Sequence, residues 1–167
     1  QIYTSTDSGA NWTARDSNRG WVGVASSGDG AKLVAVVSGG QIYTSTDSGA
    51  NWTARNSNRS WTCVASSDDG VNLVAAVNAS SSIYTSTDSG VNWSLNTVSG
   101  THYWTSLASS SNGAKLLATA DSDQLYTSTD SGANWTARDS SRSWWGGSSS
   151  ADGTILLACA SGGKLYV

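Results

Sequence analysis

Ser5-Thr6-Asp7-Ser8-Gly9-Ala10-Asn11-Trp12 is the stretch of sequence that decides the fold, because the chain contains four copies of it. The copies occupy residues 5–12, 45–52, 86–93 and 128–135, and they share the pattern Ser-Thr-Asp-Ser-Gly-x-Asn-Trp. A short β-like run precedes each copy, and another run that contains Thr or Ser follows it. The pattern therefore predicts a β-hairpin with the motif at its tip.

The residue types within the motif predict a structural role for it. An Asp in a turn accepts hydrogen bonds from nearby backbone N–H groups, and a Gly two residues later supplies a positive φ. The Trp that ends the motif is expected to fold back as an apolar plug. The residues with this predicted role are Asp7, Gly9, Trp12, Asp47, Gly49, Trp52, Asp88, Gly90, Trp93, Asp130, Gly132 and Trp135.

Composition and charge exclude several classes of protein. The 167 residues contain no Glu, Met, Phe or Pro and only three Lys, so the usual material of surface helices is missing and we expect almost no helix. A formal net charge of −3 argues against binding to nucleic acid, which needs a basic surface. No apolar run is long enough to predict insertion into a membrane. No Cys/His cluster or phosphate-binding loop indicates a metal or cofactor.

The spacing of the repeats predicts the architecture. Ile-Tyr or Leu-Tyr pairs begin at residues 2, 42, 83, 125 and 165, which gives a period of 40 to 42 residues. This period, combined with strand-like sequence, is typical of β-propellers. Each unit offers four strands, which in the first complete unit are 21–26, 32–37, 41–46 and 52–55. We therefore predict an all-β propeller of four blades, each with about 40 residues and four strands.

The units do not begin and end with whole blades. We divide the single domain, residues 1–167, into repeats 1–40, 41–81, 82–123 and 124–163, with 164–167 starting a fifth copy. Ring closure would let the strands in 145–160 complete the blade that residues 2–15 begin. Three arrangements stay open: a closed four-bladed ring, a larger ring assembled from two chains, and a piece of a longer propeller or array.

The repeated motif resembles the Asp-box, also called the BNR repeat. Asp-boxes occur in the β-propellers of sialidases, sortilin-type receptors, some glycoside hydrolases and proteins similar to the photosystem II stability/assembly factor. The blades of the last group also contain the runs Tyr-Thr-Ser-x-Asp-x-Gly and Val-Ala-x-Ser-x-Asp-Gly, so their sequences are the most similar to this chain among these families. The resemblance implies that the Asp-box residues are scaffold. Sialidase-like chemistry needs a Glu partner, and this chain has no Glu. The resemblance therefore predicts a protein that is not an enzyme.

The arginines give the main candidate binding surface. All six lie in the connection between the fourth strand of one blade and the first strand of the next, in the phrase Ala-Arg-Asp/Asn-Ser-Asn/Ser-Arg-x-Trp. Arginine forks and indole rings suit acidic sugars, carboxylates or a protein partner. In the alternative interpretation, the arginines pair with Asp16 and Asp139 and the Trp wedges between blades. The candidate ligand-binding residues are Arg15, Arg19, Trp21, Arg55, Arg59, Trp61, Arg138, Arg142 and Trp144.

These features predict a non-enzymatic binding or scaffold module, extracellular or at the cell surface, with a glycan or protein partner. Near-identical blades suit multivalent contacts. A different hypothesis is self-association into oligomers or fibres, because a basic, arginine-bearing face and an acidic, Asp-bearing face could stack head to tail. Exposed end strands would add edges for exchange between chains. A third is a glycoside hydrolase that uses Asp alone. The third blade departs from the pattern at His102-Tyr103-Trp104, where we expect the lone His to be a surface loop residue.

Overall fold

The computed structural model describes residues 1–163 and 165–167, and within that part of the chain all regular secondary structure is β. The expectation of an all-β protein without helix is confirmed. No described segment forms a helix that could span a membrane. The strands are β1 (Ile2–Thr4), β2 (Thr13–Arg15), β3 (Trp21–Ser26), β4 (Leu33–Ser45), β5 (Thr53–Ser66), β6 (Leu73–Val77), β7 (Ser80–Ser86), β8 (Ser94–His102), β9 (Trp104–Ser109), β10 (Leu116–Ala120), β11 (Asp123–Ser128), β12 (Thr136–Arg142), β13 (Trp144–Ser149), β14 (Leu156–Ala160) and β15 (Leu165–Tyr166).

Each blade is an antiparallel meander in which every strand pairs with the next one along the chain. In the third blade the order is β12-β11-β10-β9, with Leu117 opposite Ala108 on one side and Thr127 on the other. The second blade repeats this arrangement, with Val74 opposite Ala65 and Thr85. The identical register explains why one sequence period produces one blade, since a slip of one residue would move the apolar side chains to the wrong face.

In the first two blades, single long strands span positions that the sequence predicted as separate strands. Strand β4 contains the second and third strand positions of the first blade, and Gly39 bends it with a φ of 70°. Strand β5 contains the last strand position of the first blade and the first of the second. The chain therefore passes from one blade to the next within a single strand, with only register shifts at the crossing.

The hydrophobic core lies between blades. The second strand of each blade is apolar on both faces, so each face packs against a neighbouring blade. Val34 and Val36 of β4 pack with Val64 of β5, which belongs to the next blade. Val74 of β6 and Leu107 of β9 repeat this contact one blade further along. A strand whose two faces are both covered reads as a continuous apolar run, as the sequence indicated.

The two ends of the chain do not complete each other. Strands β1 and β2 form a separate two-stranded sheet, and β13, β14 and β15 form a three-stranded sheet. In the part of the chain that the structure describes, β14 pairs with β15, and β1 pairs with β2 alone. The closed four-bladed ring, one of the three arrangements left open by the sequence, is therefore not confirmed, because the fifth copy takes the position next to β14.

Candidate functional site

The motif at each hairpin tip is held by its own side chains. At the second copy, Oδ1 of Asp47 accepts a hydrogen bond from the backbone N–H of Asn51 at 2.9 Å, and Oδ2 accepts one from the Asn51 side chain at 2.7 Å. The Ser45 hydroxyl donates to Oδ1 at 2.8 Å and accepts from the Gly49 N–H at 2.9 Å. The Trp52 indole donates to the Gly49 carbonyl at 3.0 Å. The side chains of Ser45, Asp47, Asn51 and Trp52 are thus all engaged inside the turn.

The other three copies repeat these contacts with nearly the same distances. The backbone and side-chain hydrogen bonds from the Asn four residues later lower the pKa of Asp7, Asp47 and Asp88 from 3.8 to about 2. The corresponding Asn134 side chain and backbone also lower the pKa of Asp130. A carboxylate that stays ionised and fully engaged by its own turn is poorly suited to proton transfer near neutral pH.

A second repeated turn lies beside the first one. The Ser27 hydroxyl donates to Asp29 at 2.6 Å and accepts from the N–H of Lys32 at 3.0 Å. The Ser48 N–H at the motif tip donates to the Ala31 carbonyl at 2.9 Å. Both turn types therefore share one rim of the blade array, and the arginine-containing connections are left to the opposite rim, as the meander geometry predicts.

The first arginine of each Arg phrase braces its own blade. Nε of Arg55 donates to the Thr44 hydroxyl across the strand pair at 3.1 Å. Arg15 and Arg138 make the same bond to the corresponding threonines, at 3.0 and 3.1 Å. The first arginine of each phrase is therefore engaged within its own blade, whereas the second arginine contacts the next blade.

The second arginine of each phrase stacks on a tyrosine of the next blade. The guanidinium carbon lies 4.4 Å from the ring centre of Tyr43 for Arg19 and 4.7 Å from that of Tyr84 for Arg59. Arg142 lies 4.7 Å from the ring centre of Tyr166. Such cation–π contacts hold the planar group in one orientation.

Two of these three arginines also face the acid of their own phrase. Nε of Arg19 lies 3.2 Å from Asp16, and a terminal nitrogen of Arg142 lies 3.7 Å from Asp139. Burial tends to raise the pKa of Asp16, but the hydrogen bonds from Arg19 and Ser17 outweigh it and lower that pKa. The pairing that we considered as the alternative to ligand binding is therefore present at these two phrases.

The tryptophan of each phrase lies inside the molecule. Trp61 and Trp144 have no exposed surface, and Trp21 is half-buried. Each ring meets the edge of the tyrosine that the arginine covers, with ring centres 5.0 to 5.2 Å apart. The structure therefore brings the second arginine and the tryptophan of each phrase together around one tyrosine, but Trp61 and Trp144 offer no face to a ligand. The binding role of the arginines stays a prediction.

The junction between the second and third blades contains a buried histidine, which the sequence interpretation placed wrongly. His102 occupies the position of Arg19, Arg59 and Arg142, two residues before the blade's tryptophan. It is 4% exposed, so the expectation of a surface loop residue is wrong. Its ring packs on Tyr126, with centres 4.9 Å apart, and its Nδ1 lies 2.5 Å from Oδ2 of Asp123. Alignment of His102-Tyr103-Trp104 with Arg-x-Trp was the signal that could have revealed it.

The remaining reactive groups are isolated from one another. No three His, Cys, Asp or Glu side chains come together as a potential metal site in residues 1–163 and 165–167. Cys63 and Cys159 are free thiols, and burial raises the pKa of Cys63 to about 12. A thiol in that state is a poor nucleophile.

Comparison with solved structures identifies the fold. A segment of the GH74 enzyme of Niastella koreensis aligns with 87% of this chain at 23% identity and a TM-score of 0.62, and this chain spans only 22% of that enzyme. YCF48 of Cyanidioschyzon merolae aligns with 98% of this chain at 20% identity and a TM-score of 0.68, and this chain spans 58% of it. A nidogen/laminin complex contains a chain with 13% identity, a TM-score of 0.72, and coverage of 91% of this chain and 60% of that one.

These similar structures are β-propellers, as is the fold of the present chain, and the resemblance to propellers of the Asp-box type is confirmed at that level. No family model and no curated protein matches the sequence.

Proposed function

We propose that this propeller-fold chain is a non-enzymatic binding or scaffold module that receives acidic groups of a protein partner on its arginine-bearing rim. The proposal that the chain is not an enzyme is supported by the hydrogen bonding of the turn carboxylates. The four Asp-box acids and Asp29, Asp69 and Asp152 of the adjacent turns all accept hydrogen bonds from their own turns. Side chains committed in this way stabilise hairpins and leave little material for acid–base chemistry.

The rim supplies donors that are already oriented. The side chains of Arg19 and Arg142 keep 34% and 37% of their surface exposed although each stacks on a tyrosine. A stacked guanidinium loses little conformational entropy when it binds a carboxylate with two parallel hydrogen bonds. Because the phrase occurs three times in the chain, a partner with several acidic groups could contact several arginines at once, and avidity would offset weak single contacts.

The similar structures support a protein partner more directly than a glycan. One of them is a nidogen/laminin complex, and another is YCF48 bound to a D1 peptide. The GH74 enzyme among them motivates the hydrolase alternative. Retaining and inverting glycosidases both need two facing carboxylates, and the engaged turn acids argue against that role here. An extracellular or cell-surface location stays a prediction.

An array of acidic peptides tests the proposal. It would carry Asp- and Glu-rich peptides, the same peptides with Asn and Gln, and acidic glycans with their neutral counterparts. We expect the chain to bind the acidic peptides, and the double variant Arg59→Gln/Arg142→Gln to lose most of that binding. Lys32→Gln/Lys115→Gln is the matched control, because it removes the same charge from the opposite rim.

Several outcomes would contradict the proposal. Equal binding by the arginine variant and the lysine variant would show that the arginine rim is not the surface used. Preference for the acidic glycans would assign the rim to carbohydrate. Release of sugar from any arrayed glycan, unchanged in the arginine variant, would favour the hydrolase alternative.

A further inference from the structure

Every internal junction between blades is built in the same way. The Asp-box turn of one blade lies against the third strand of the blade before it. A Cβ atom built on Gly90 would lie 2.6 Å from Cγ2 of Thr44 in the preceding blade and 3.1 Å from Cδ1 of Leu73 in its own blade. Gly132 has the same neighbours one blade further along, Thr85 and Leu116. The Thr and the Leu therefore form the seat for an incoming Asp-box hairpin.

The same seat exists beside the last blade. A groove of about 460 Å³ lies between the third and fourth blades, and Thr127 and Leu156 both line it. These residues hold the positions of Thr44 and Leu73 in the repeat. Tyr166 and Val167 of the short C-terminal strand line the groove as well. At the internal junctions an Asp-box hairpin occupies this seat, so the groove is expected to fit an Asp-box hairpin as well.

The N-terminal hairpin has the corresponding shape and lacks such a seat. Its Trp12 is 63% exposed, whereas the other three Asp-box tryptophans are partly buried. The nearest atoms to a Cβ built on Gly9 belong to Trp12 itself, at 3.8 Å. The hairpin that contains β1 and β2 therefore has its motif formed and its docking face exposed.

The apolar faces at the two ends complement each other. Val24 on the first blade is 64% exposed, while Val64 and Leu107, which hold its position in the next two blades, are each 7% exposed. Leu157 on the last blade is 38% exposed, while its equivalent Val74 is 2% exposed. In the internal junctions these two positions pack together across the blade interface, and Val24 and Leu157 hold the same two positions but are left exposed.

A backbone ladder also runs from blade to blade along the turn rim. The N–H of Gly28 donates to the carbonyl of Asp68, the N–H of Asp68 to that of Ser111, and the N–H of Ser111 to that of Ala151, at 2.7 to 2.8 Å. The ladder runs from Gly28 in the first blade to Ala151 in the fourth blade. Addition of another first blade after the last one would continue it with the same step.

We propose that two copies of this chain close head to tail, each inserting its N-terminal hairpin, residues 2–15, into the groove beside the fourth blade of the other. A contact between unlike ends closes into a ring only if its rotation allows, and two copies would make a ring of eight blades, within the usual range for propellers. This inference is independent of the proposed binding function.

Strand exchange at the C-terminus accommodates the incoming hairpin. Strand β15 makes two residue pairs with β14, Leu165 with Cys159 and Tyr166 with Ala158. Ile2 and Tyr3 of β1 hold the same positions of the repeat as Leu165 and Tyr166 of β15, so in the second copy they would take these two partners. The incoming strand continues into Thr4 and its paired strand β2, which adds contacts that β15 does not provide. The exchange therefore places the whole β1–β2 hairpin beside β14.

Light scattering of the 167-residue chain gives the first test. We expect a mass of twice 17.2 kDa at high micromolar concentration. Deletion of residues 1–15 should leave a species of single mass, and deletion of residues 165–167 should shift dimer formation to lower concentration, because the competing strand is gone. A native chain that keeps the single mass throughout would overturn the proposal.

A disulfide tests the register directly. Directly opposite residues in an antiparallel pair have Cα atoms about 4.5–5.5 Å apart, within the range of a disulfide. In a Cys63→Ser background, Ile2→Cys should oxidise with native Cys159 to a covalent dimer, and Cys159→Ser should abolish the product. A disulfide formed within one chain would instead show a four-bladed ring closed on itself and would overturn the dimer. Products larger than a dimer would overturn closure after two copies.

Discussion

Nδ1 of His102 lies 2.5 Å from Oδ2 of Asp123, at a blade junction where the arginine of the other repeats is replaced by histidine. Asp123 replaces a Gly or Ser in the other blades, so the two changes occur together. The Asp123 carboxylate also accepts a hydrogen bond from the Tyr126 hydroxyl at 3.2 Å. The stack on a tyrosine that the other junctions show is thereby kept by a different pair of residues.

Loss of this pair is expected to destabilise the protein. His102→Leu should cost about 2 kcal/mol in free energy of unfolding, because the partly buried Asp123 carboxylate loses a hydrogen-bond partner. His102→Arg should restore most of the loss, since arginine occupies this position at the other junctions. Chemical denaturation measures both variants, and Tyr103→Ala, at a neighbouring exposed residue, is the control. Equal stability of the leucine variant and the parent would contradict the prediction.

Stability should fall in acid because of the Asp-box carboxylates. The pKa of Asp47 is about 2 in the folded protein and 3.8 in its ordinary state, so the folded state favours the ionised form. The contribution is therefore complete above about pH 4 and is lost as the pH falls towards 2. We expect Asp47→Asn to melt at a lower temperature than the parent at pH 7. The difference should shrink below pH 4, and a constant difference from pH 7 to pH 2 would argue against this linkage.

Removal of a wedge between blades should be among the most damaging single changes. Trp61 has no exposed surface and packs against the edge of Tyr84, with ring centres 5.2 Å apart. Trp61→Ala should cost about 3–5 kcal/mol, the usual range for a large aromatic removed from a core. Leu95→Ala, at a half-exposed position, should change stability little. Denaturant titrations of the two variants provide the comparison, and similar midpoints would show that the wedge contributes little.

Substitution of the Asp-box glycine by alanine should lower stability for two separable reasons. Gly90 has a φ of 83°, and an added Cβ would meet Thr44 of the preceding blade. Gly39 has a φ of 70° with no atom within 4 Å of an added Cβ among the described residues, so Gly39→Ala carries only the backbone strain. That strain is roughly 1–2 kcal/mol, and overpacking adds about 1–3 kcal/mol. Gly90→Ala should therefore lower the melting temperature more than Gly39→Ala, and the reverse order would contradict the docking contact.

The local structure of each repeat could be predicted from the sequence because its causes lie within about ten residues. The Ser, Asp, Gly, Asn and Trp of the motif satisfy one another inside a single turn, so spacing alone indicates the hairpin. The all-β class and the period of 40 to 42 residues followed in the same way. The Arg phrase was also recognisable, but its spacing did not show that Trp61 and Trp144 would be fully buried.

Tertiary structure alone decided what happens between blades. The stack of Arg59 on Tyr84 and the pair formed by His102 and Asp123 join residues 21 or more positions apart, and no local pattern encodes their approach. The state of the two ends was likewise undecidable from the repeat, because residues 2–4 and 165–167 hold the same position of the repeat. Hydrogen bonds within a turn are fixed by short-range spacing, whereas contacts across a blade interface depend on how whole sheets twist and stack.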